Sequence, residues 1–177
     1  MALGLIGTML TVPLKSHAET VTIVSNSNSG IERATYTATL SDGTVLGFTN
    51  LSNSGSYFCG AISQKTSLIV PDSVILYSSS STTRYPIKYI GYNRLDFDNA
   101  QSVTSLTLPS LVTTLNYMAP TVQTLHVNSY ISSVSSSCLS ELTKVLVPSS
   151  TLSSYLGNPN WYNYEGFYKL NIWQSAK

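Results

Sequence analysis

Charge is scarce in this chain. Of 177 residues, nine are Lys or Arg and eight are Asp or Glu, for a net charge of +1. So few cations form no basic cluster, which argues against a nucleic-acid binder. Histidine and cysteine occur twice each. No metal-ligand spacing, calcium loop, phosphate loop or dinucleotide fingerprint is present. No G-x-S-x-G nucleophile elbow is present either. The one continuous apolar run, Ala2 to Leu14, is 13 residues long. That is too short to span a bilayer. These gaps predict a chain that is not membrane-spanning, needs no cofactor and is not an enzyme.

What fills the chain instead is hydroxyl. It holds 30 Ser, 20 Thr, 12 Tyr and 12 Asn, and 42% of its residues are apolar. Thr, Val, Ile and Tyr suit pleated surfaces, whereas Ser and Asn suit turns. The apolar share is too high for disorder. Hydroxyl-rich, charge-poor chains are commonly extracellular. The run Ala2 to Leu14 has the length of a signal-peptide h-region, and Ser16 and Ala18 sit at small-residue cleavage positions. No Lys or Arg precedes the run, which fits a truncated start, with residues 1–18 read as the leader. Cleavage after Ala18 removes Lys15 and His17 and leaves eight basic and eight acidic side chains. Cys59 and Cys138 either form one disulfide, as an exported chain allows, or are two buried small side chains.

A short phrase recurs. Val103, Val122 and Leu142 step by 19 and 20; so do Leu106, Leu125 and Val145, then Leu108, Val127 and Val147, then Pro109, Asn128 and Pro148. The register loosens at Leu111, Ile131 and Leu152, at Leu115, Val134 and Tyr155, and at Met118 and Cys138. Leu68, Val70 and Pro71 lie 38 residues, two periods, before Leu106, Leu108 and Pro109. The copy between them, Tyr85 to Phe97, has only the apolar return Ile87 and Ile90. Its rung is read as enlarged by the loop Tyr77 to Arg84. In each copy the two apolar residues of L-x-[LV] point to one face of a strand. A single strand cannot bury that face, so copies must stack. Proline then ends the strand, since it donates no ladder hydrogen bond.

The segments LIVPDSV, YPIKYIG, SVTSLTLPSLVTTL and LTKVLVPSSTL resemble the repeats of BspA-like bacterial leucine-rich-repeat surface proteins. Their period is at the short edge of the leucine-rich range. KVLVPSSTLSSYLGNPNWYNYEGF resembles that family's closing repeat. The likeness covers Thr66 to Phe167. The family's Gly-x-x-x-Phe step is present only loosely, at Gly91 and Phe97, and is missing from the two later, shorter repeats, which predicts loops or 3₁₀ turns rather than helices there. The expected architecture is a mainly β, short leucine-rich-repeat solenoid of about four irregular rungs. Residues 19–65 form a β-hairpin cap around the turn SDG, 66–156 the repeats, and 157–177 an aromatic C-terminal cap. The resemblance implies adhesion: a non-catalytic protein, secreted or on the cell surface after export through the inner membrane. Its implied partner is a protein or glycan of a host or bacterial surface.

The candidate binding residues are the outward strand positions Thr107, His126 and Leu146, flanked by Ser105, Thr124 and Lys144. Tyr162, Tyr164 and Trp173 belong to an aromatic cluster with Trp161, Phe167 and Tyr168. That cluster is read either as the lid of the array or as a platform for sugar rings, which makes a carbohydrate-binding module the alternative function. His126 could serve as a general base only beside a nucleophile, and Cys59 lacks a protease signature. Asp96 and Asp98 share a strand face, as a glycosidase pair or a calcium site would, or mark a polar turn. Asn50-Leu51-Ser52 is a formal N-glycosylation sequon. Asp72-Ser73-Val74 resembles a short O-glycosylation motif of anaerobic gut bacteria.

Overall fold

In the computed structural model, residues 20–26, 28–92, 100–140, 142–162 and 173–176 are described. The alternating hydroxyl and apolar residues near the start form short strands, as a period of two requires. These are β1 (Val21–Ser25), β2 (Tyr36–Thr39), β3 (Val45–Thr49) and β4 (Ser56–Ile62), each antiparallel to the next. The β2–β3 turn is a three-residue loop. Gly43 N–H donates to Leu40 O at 3.0 Å and Leu40 N–H to Thr44 O at 2.8 Å. Gly43 has φ +84°, the left-handed position such a loop needs at its third residue.

β5 (Ser67–Ile69) leaves this meander, while β6 (Ser73–Tyr77) and β7 (Thr82–Ile90) return to it. β6 and β7 form an antiparallel hairpin whose turn is tied by Ser78 N–H to Ser81 O at 2.8 Å. β6 then pairs in parallel with β1, Val21 opposite Val74 and Ile23 opposite Leu76. β7 pairs in parallel with β4, Ser56 opposite Ile87 and Phe58 opposite Ile90. The ring β1-β2-β3-β4-β7-β6 is closed, a six-strand barrel. Ile23, Leu46, Phe48, Phe58 and Ile87 are buried, with the two phenyl rings 5.8 Å apart.

This closure corrects the expected architecture. The chain is mainly β, but it is a closed barrel with a second sheet rather than an open repeat solenoid. The strands expected as an N-terminal cap are four of the six barrel walls. Ile87 and Ile90, expected as the return of an enlarged rung, lie in a fifth wall, and the supposed loop Tyr77 to Arg84 is the hairpin that brings it there. The physical reason is a parallel pairing of Val21 with Val74, 53 residues apart. Pairing at that separation leaves no local pattern, yet it removes the exposed edges that an open sheet carries.

The rest of the chain forms β8 (Ser105–Thr107), β9 (Thr114–Leu115), β10 (Thr124–His126), β11 (Ser133–Val134), β12 (Lys144–Pro148) and β13 (Trp173–Ala176). A five-stranded parallel sheet runs β5-β8-β10-β12-β13. In it Leu68, Leu106, Leu125 and Val145 stand in register on neighbouring strands. β9 and β11 extend from the end of β7, with Ile90, Leu115 and Val134 in register. In two of the columns expected to loosen, the structure restores a first step of 19. Leu111 is 50% exposed, and Val112 is buried 19 residues before Ile131; likewise Ala119, not Met118, is buried 19 before Cys138. A turn repeats too: Val103 N–H donates to Ala100 O, Val122 to Ala119 and Leu142 to Leu139. A 3₁₀ turn spans Ser136–Cys138. Where Asn128 replaces the recurring proline, its Nδ2 donates to Leu108 O at 2.8 Å.

Two short helices follow, α1 (Leu152–Leu156) and α2 (Pro159–Tyr162). They seat Tyr155 and Trp161, both fully buried, with rings edge-on at 5.1 Å. Trp161 Nε1 donates to Ile131 O at 2.9 Å. Tyr155 OH donates to Ser129 O at 2.6 Å and accepts Ile131 N–H at 2.9 Å. One apolar core runs from Ile23 and Phe48 in the barrel through Leu106 and Leu125 to Trp161. A small satellite of Ile31, Ala34 and Cys59 lies apart from it.

Candidate binding face and cleft

Two rows of side chains cross the outer face of the parallel sheet. Strand alternation sends Leu68, Leu106, Leu125 and Val145 inward and their neighbours outward. One outward row reads Ser67, Ser105, Thr124, Lys144 and the next Ile69, Thr107, His126, Leu146, each in register from strand to strand. Thr107, His126 and Leu146 are therefore brought side by side, all half-buried. Ile69 extends their row to the edge and is 53% exposed. Parallel strands about 4.8 Å apart give such rows a fixed spacing.

His126 is held below its ordinary pKa, first by partial burial and second by the nearby Lys144 ammonium. Both effects disfavour a second positive charge on this face. Among the described residues, no group of three or more His, Cys, Asp or Glu side chains comes together. Cys59 and Cys138 are free and buried. Burial pushes each thiol up to about 12. Neither is a thiolate at neutral pH, so neither has the reactivity of a nucleophile.

Beside β5 lies a cleft of about 330 Å³. Val21, Leu40, Leu46, Leu68, Ile69 and Pro71 give it an apolar lining, with Asp42, Thr44, Lys65 and Ser67 as its polar groups. The β2–β3 turn builds one wall. Thr44 N–H donates to Asp42 Oδ1 at 2.8 Å, and the same carboxylate pairs with the Lys65 ammonium. That ammonium, and then the Thr44 backbone N–H, hold the Asp42 carboxyl down at about 2. The Thr44 and Ser63 hydroxyls, 3.3 Å apart, tie the turn to the segment that leads into β5. Sequence reading missed this cleft. Its signal was the Asp42-Gly43 turn, legible as a turn but not as a neighbour of Lys65.

Other expected site residues fare differently. Tyr164, Asp96 and Asp98 lie outside the described residues, as do the leader 1–18 and the loose Gly-x-x-x-Phe step at Phe97. Tyr162 ends α2, and Trp173 opens β13 with its backbone opposite Val145. Of the aromatic cluster, Trp161 packs inside against Tyr155, whose ring in turn packs against Tyr130. Asn50 is exposed at φ +50°. Ser73 is buried, and its hydroxyl accepts Arg84 Nε–H at 2.7 Å. Asp72 accepts Ser110 N–H and Oγ–H at 2.7 and 2.9 Å. The folded chain thus does not present the Asp72-Ser73-Val74 hydroxyl for modification. Among the described residues, no helix is long and apolar enough to cross a membrane.

No family model matches the chain, and no curated protein does. One solved structure resembles it, a leucine rich cell surface protein from Faecalibacterium prausnitzii A2-165, at 16% identity and a TM-score of 0.35. The match covers 59% of this chain and 35% of that one, so the chain spans about a third of its neighbour's length. At that TM-score the likeness transfers neither fold nor activity.

Proposed function

We propose that this chain is a non-catalytic binding module, secreted or held at a cell surface, that recognises a protein or glycan of a host or bacterial surface. The observation that carries this reading is the outer face of the parallel sheet. Its rows of hydroxyl and aliphatic side chains stand in register across four strands, with Lys144 as its ammonium and His126 largely uncharged at neutral pH. Such a face offers hydrogen-bond donors and acceptors at fixed spacing with little charge. It suits a polar, uncharged macromolecular surface. The hydroxyl-rich composition and the resemblance of the L-x-[LV]-P phrases to those of BspA-like surface proteins support the same reading.

Immobilised mucin and extracellular-matrix proteins test it. Wild-type protein is expected to bind at least one of them. The double variant Thr107→Lys and Leu146→Lys is expected to weaken that binding about tenfold or more, because two added ammonium groups must be desolvated at the contact. Circular dichroism checks that both proteins fold. Equal binding by the double variant removes the face from the reading. Binding of wild type to neither probe, with clear binding to bacterial envelope alone, removes the host-surface partner.

A further inference from the structure

The edge of the parallel sheet at β5 borders the cleft, and among the described residues no strand pairs with its outer side. Among the described residues β5 has one strand neighbour, β8. Thr66 O accepts the N–H groups of Thr104 and Ser105 at 2.9 and 3.0 Å, and Val70 N–H donates to Thr107 O at 3.0 Å. In a strand, successive residues turn their N–H and C=O groups to opposite sides. Thr66, Leu68 and Val70 therefore serve β8, and Ser67 and Ile69 turn theirs away from it. The cleft lies on that side: its lining includes Ser67, Ile69 and the β2–β3 turn, and no residue of β8. It is the place a further strand of this sheet would occupy.

We propose that the free edge of β5 is a strand-addition site for a short, extended, uncharged peptide segment of a partner protein. Two N–H donors and two C=O acceptors, on Ser67 and Ile69, set its register. Main-chain hydrogen bonds of this kind supply affinity, and alternate side-chain pockets supply specificity. Val21 and Leu40 take an apolar side chain at one position, and the Ser67 hydroxyl meets a small polar one at the next. Charge selects the occupant. Asp42 and Lys65, the two charged groups of the cleft, neutralise each other. A charged peptide residue there has no unspent partner and must be desolvated. Lys65 before the edge and Pro71 after it restrict pairing to a short stretch, a pattern that blocks open-ended sheet growth. Ser67 and Ile69 give their side chains to the outer face and their main-chain groups to this edge, so the Thr107→Lys and Leu146→Lys variant leaves the edge itself unchanged.

The blocked peptide acetyl-Thr-Val-Thr-Val-Thr-amide is the probe, added to the full chain, with amide hydrogen exchange as the readout. The peptide is expected to slow exchange at Ser67 and Ile69 about tenfold or more and to leave the Leu68 amide, already committed to β8, unchanged. A peptide N-methylated at both valines is expected to do neither. Ser67→Pro removes an edge donor without touching the β8 ladder, so it is expected to keep the wild-type melting temperature and lose the protection. Leu40→Lys, which charges the pocket while keeping the edge, provides a second variant expected to weaken binding should Ser67→Pro not fold. Equal protection by the methylated peptide, or none by the parent peptide, overturns the proposal. Protection that rises with protein concentration alone identifies a second copy as occupant, and protection present at all concentrations without peptide identifies the chain itself; either overturns it too.

Discussion

Tyr155 shows how one polar atom can hold a chain segment from inside an apolar core. Its hydroxyl bridges two backbone groups, donating to O of the half-buried Ser129 and accepting from N–H of the buried Ile131. Tyr155→Phe removes only the oxygen and leaves both groups unpaired. The expected loss is about 1–3 kcal/mol in chemical denaturation, since a buried unpaired group costs its full desolvation. The same burial raises the phenol above its ordinary pKa. Cys59 and Cys138 are likewise raised from 9.0 to about 12. For all three, the folded state holds the proton more tightly than the unfolded state. Their contribution is therefore complete below the unfolded pKa and is lost as pH rises through the folded one. For the thiols that window runs from about pH 9 to about pH 12. Stability should fall across it by up to roughly 1.4 kcal/mol per pH unit for each thiol. The double variant Cys59→Ala and Cys138→Ala should be less stable at pH 7, because both side chains leave cavities. Its stability should nevertheless decline less steeply above pH 9, as urea titrations at successive pH values would show. Parallel slopes for the two proteins would contradict the burial of the thiols.

Elements differ in how much of their placement is written locally. The L-x-[LV] strands were legible because their code is short: two inward residues, a fixed step of 19 or 20, and a stop. The outward row Thr107, His126 and Leu146 followed from the same code. What misled was the choice between adjacent apolar residues. Leu111 and Met118 looked like core positions, but Val112 and Ala119 hold the buried places, because backbone turns rather than hydrophobicity fix the phase there. The cleft was illegible for a related reason, since Asp42 and Lys65 meet only when the β2–β3 turn folds against the approach to β5. Glycine separates local from tertiary demand in the same way. Gly43 and Gly91 both have positive φ, +84° and +79°. A Cβ on Gly43 meets nothing within 4 Å, whereas one on Gly91 would lie 2.7 Å from Tyr117 Cβ and 2.8 Å from its backbone N. Gly43→Ala should cost roughly 1–2 kcal/mol, the left-handed penalty alone. Gly91→Ala should cost clearly more, because the backbone of the segment leading out of β9 must move. Equal melting temperatures for the two variants would show that the segment gives way freely.

At the scale of the whole molecule, barrel and parallel sheet share material. β5 lies between barrel strands in the chain yet opens the second sheet, and β7 closes the barrel and also starts the β9–β11 ladder. Their side chains belong to one apolar cluster from Ile23 to Trp161. A stack of independent repeats would behave as a row of neighbours and could unravel from an end. A shared core with a closed ring should instead unfold as one unit, as small domains usually do. Ile23 is the place to test this, because it sits on β1 at the parallel seam with β6, far in sequence from the repeats. Ile23→Ala should destabilise by about 2–5 kcal/mol, the usual range for emptying such a site. If the molecule is one cooperative unit, native-state hydrogen exchange should show that loss equally at the slowest amides of β3 in the barrel and of β10 in the parallel sheet. Urea unfolding followed by Trp161 fluorescence, in a Trp173→Phe background, should shift by the same amount. A loss confined to β1–β4, with β10 and Trp161 unmoved, would mean that the sheet stands without the barrel and that the closed ring is an appendage rather than the foundation of the fold.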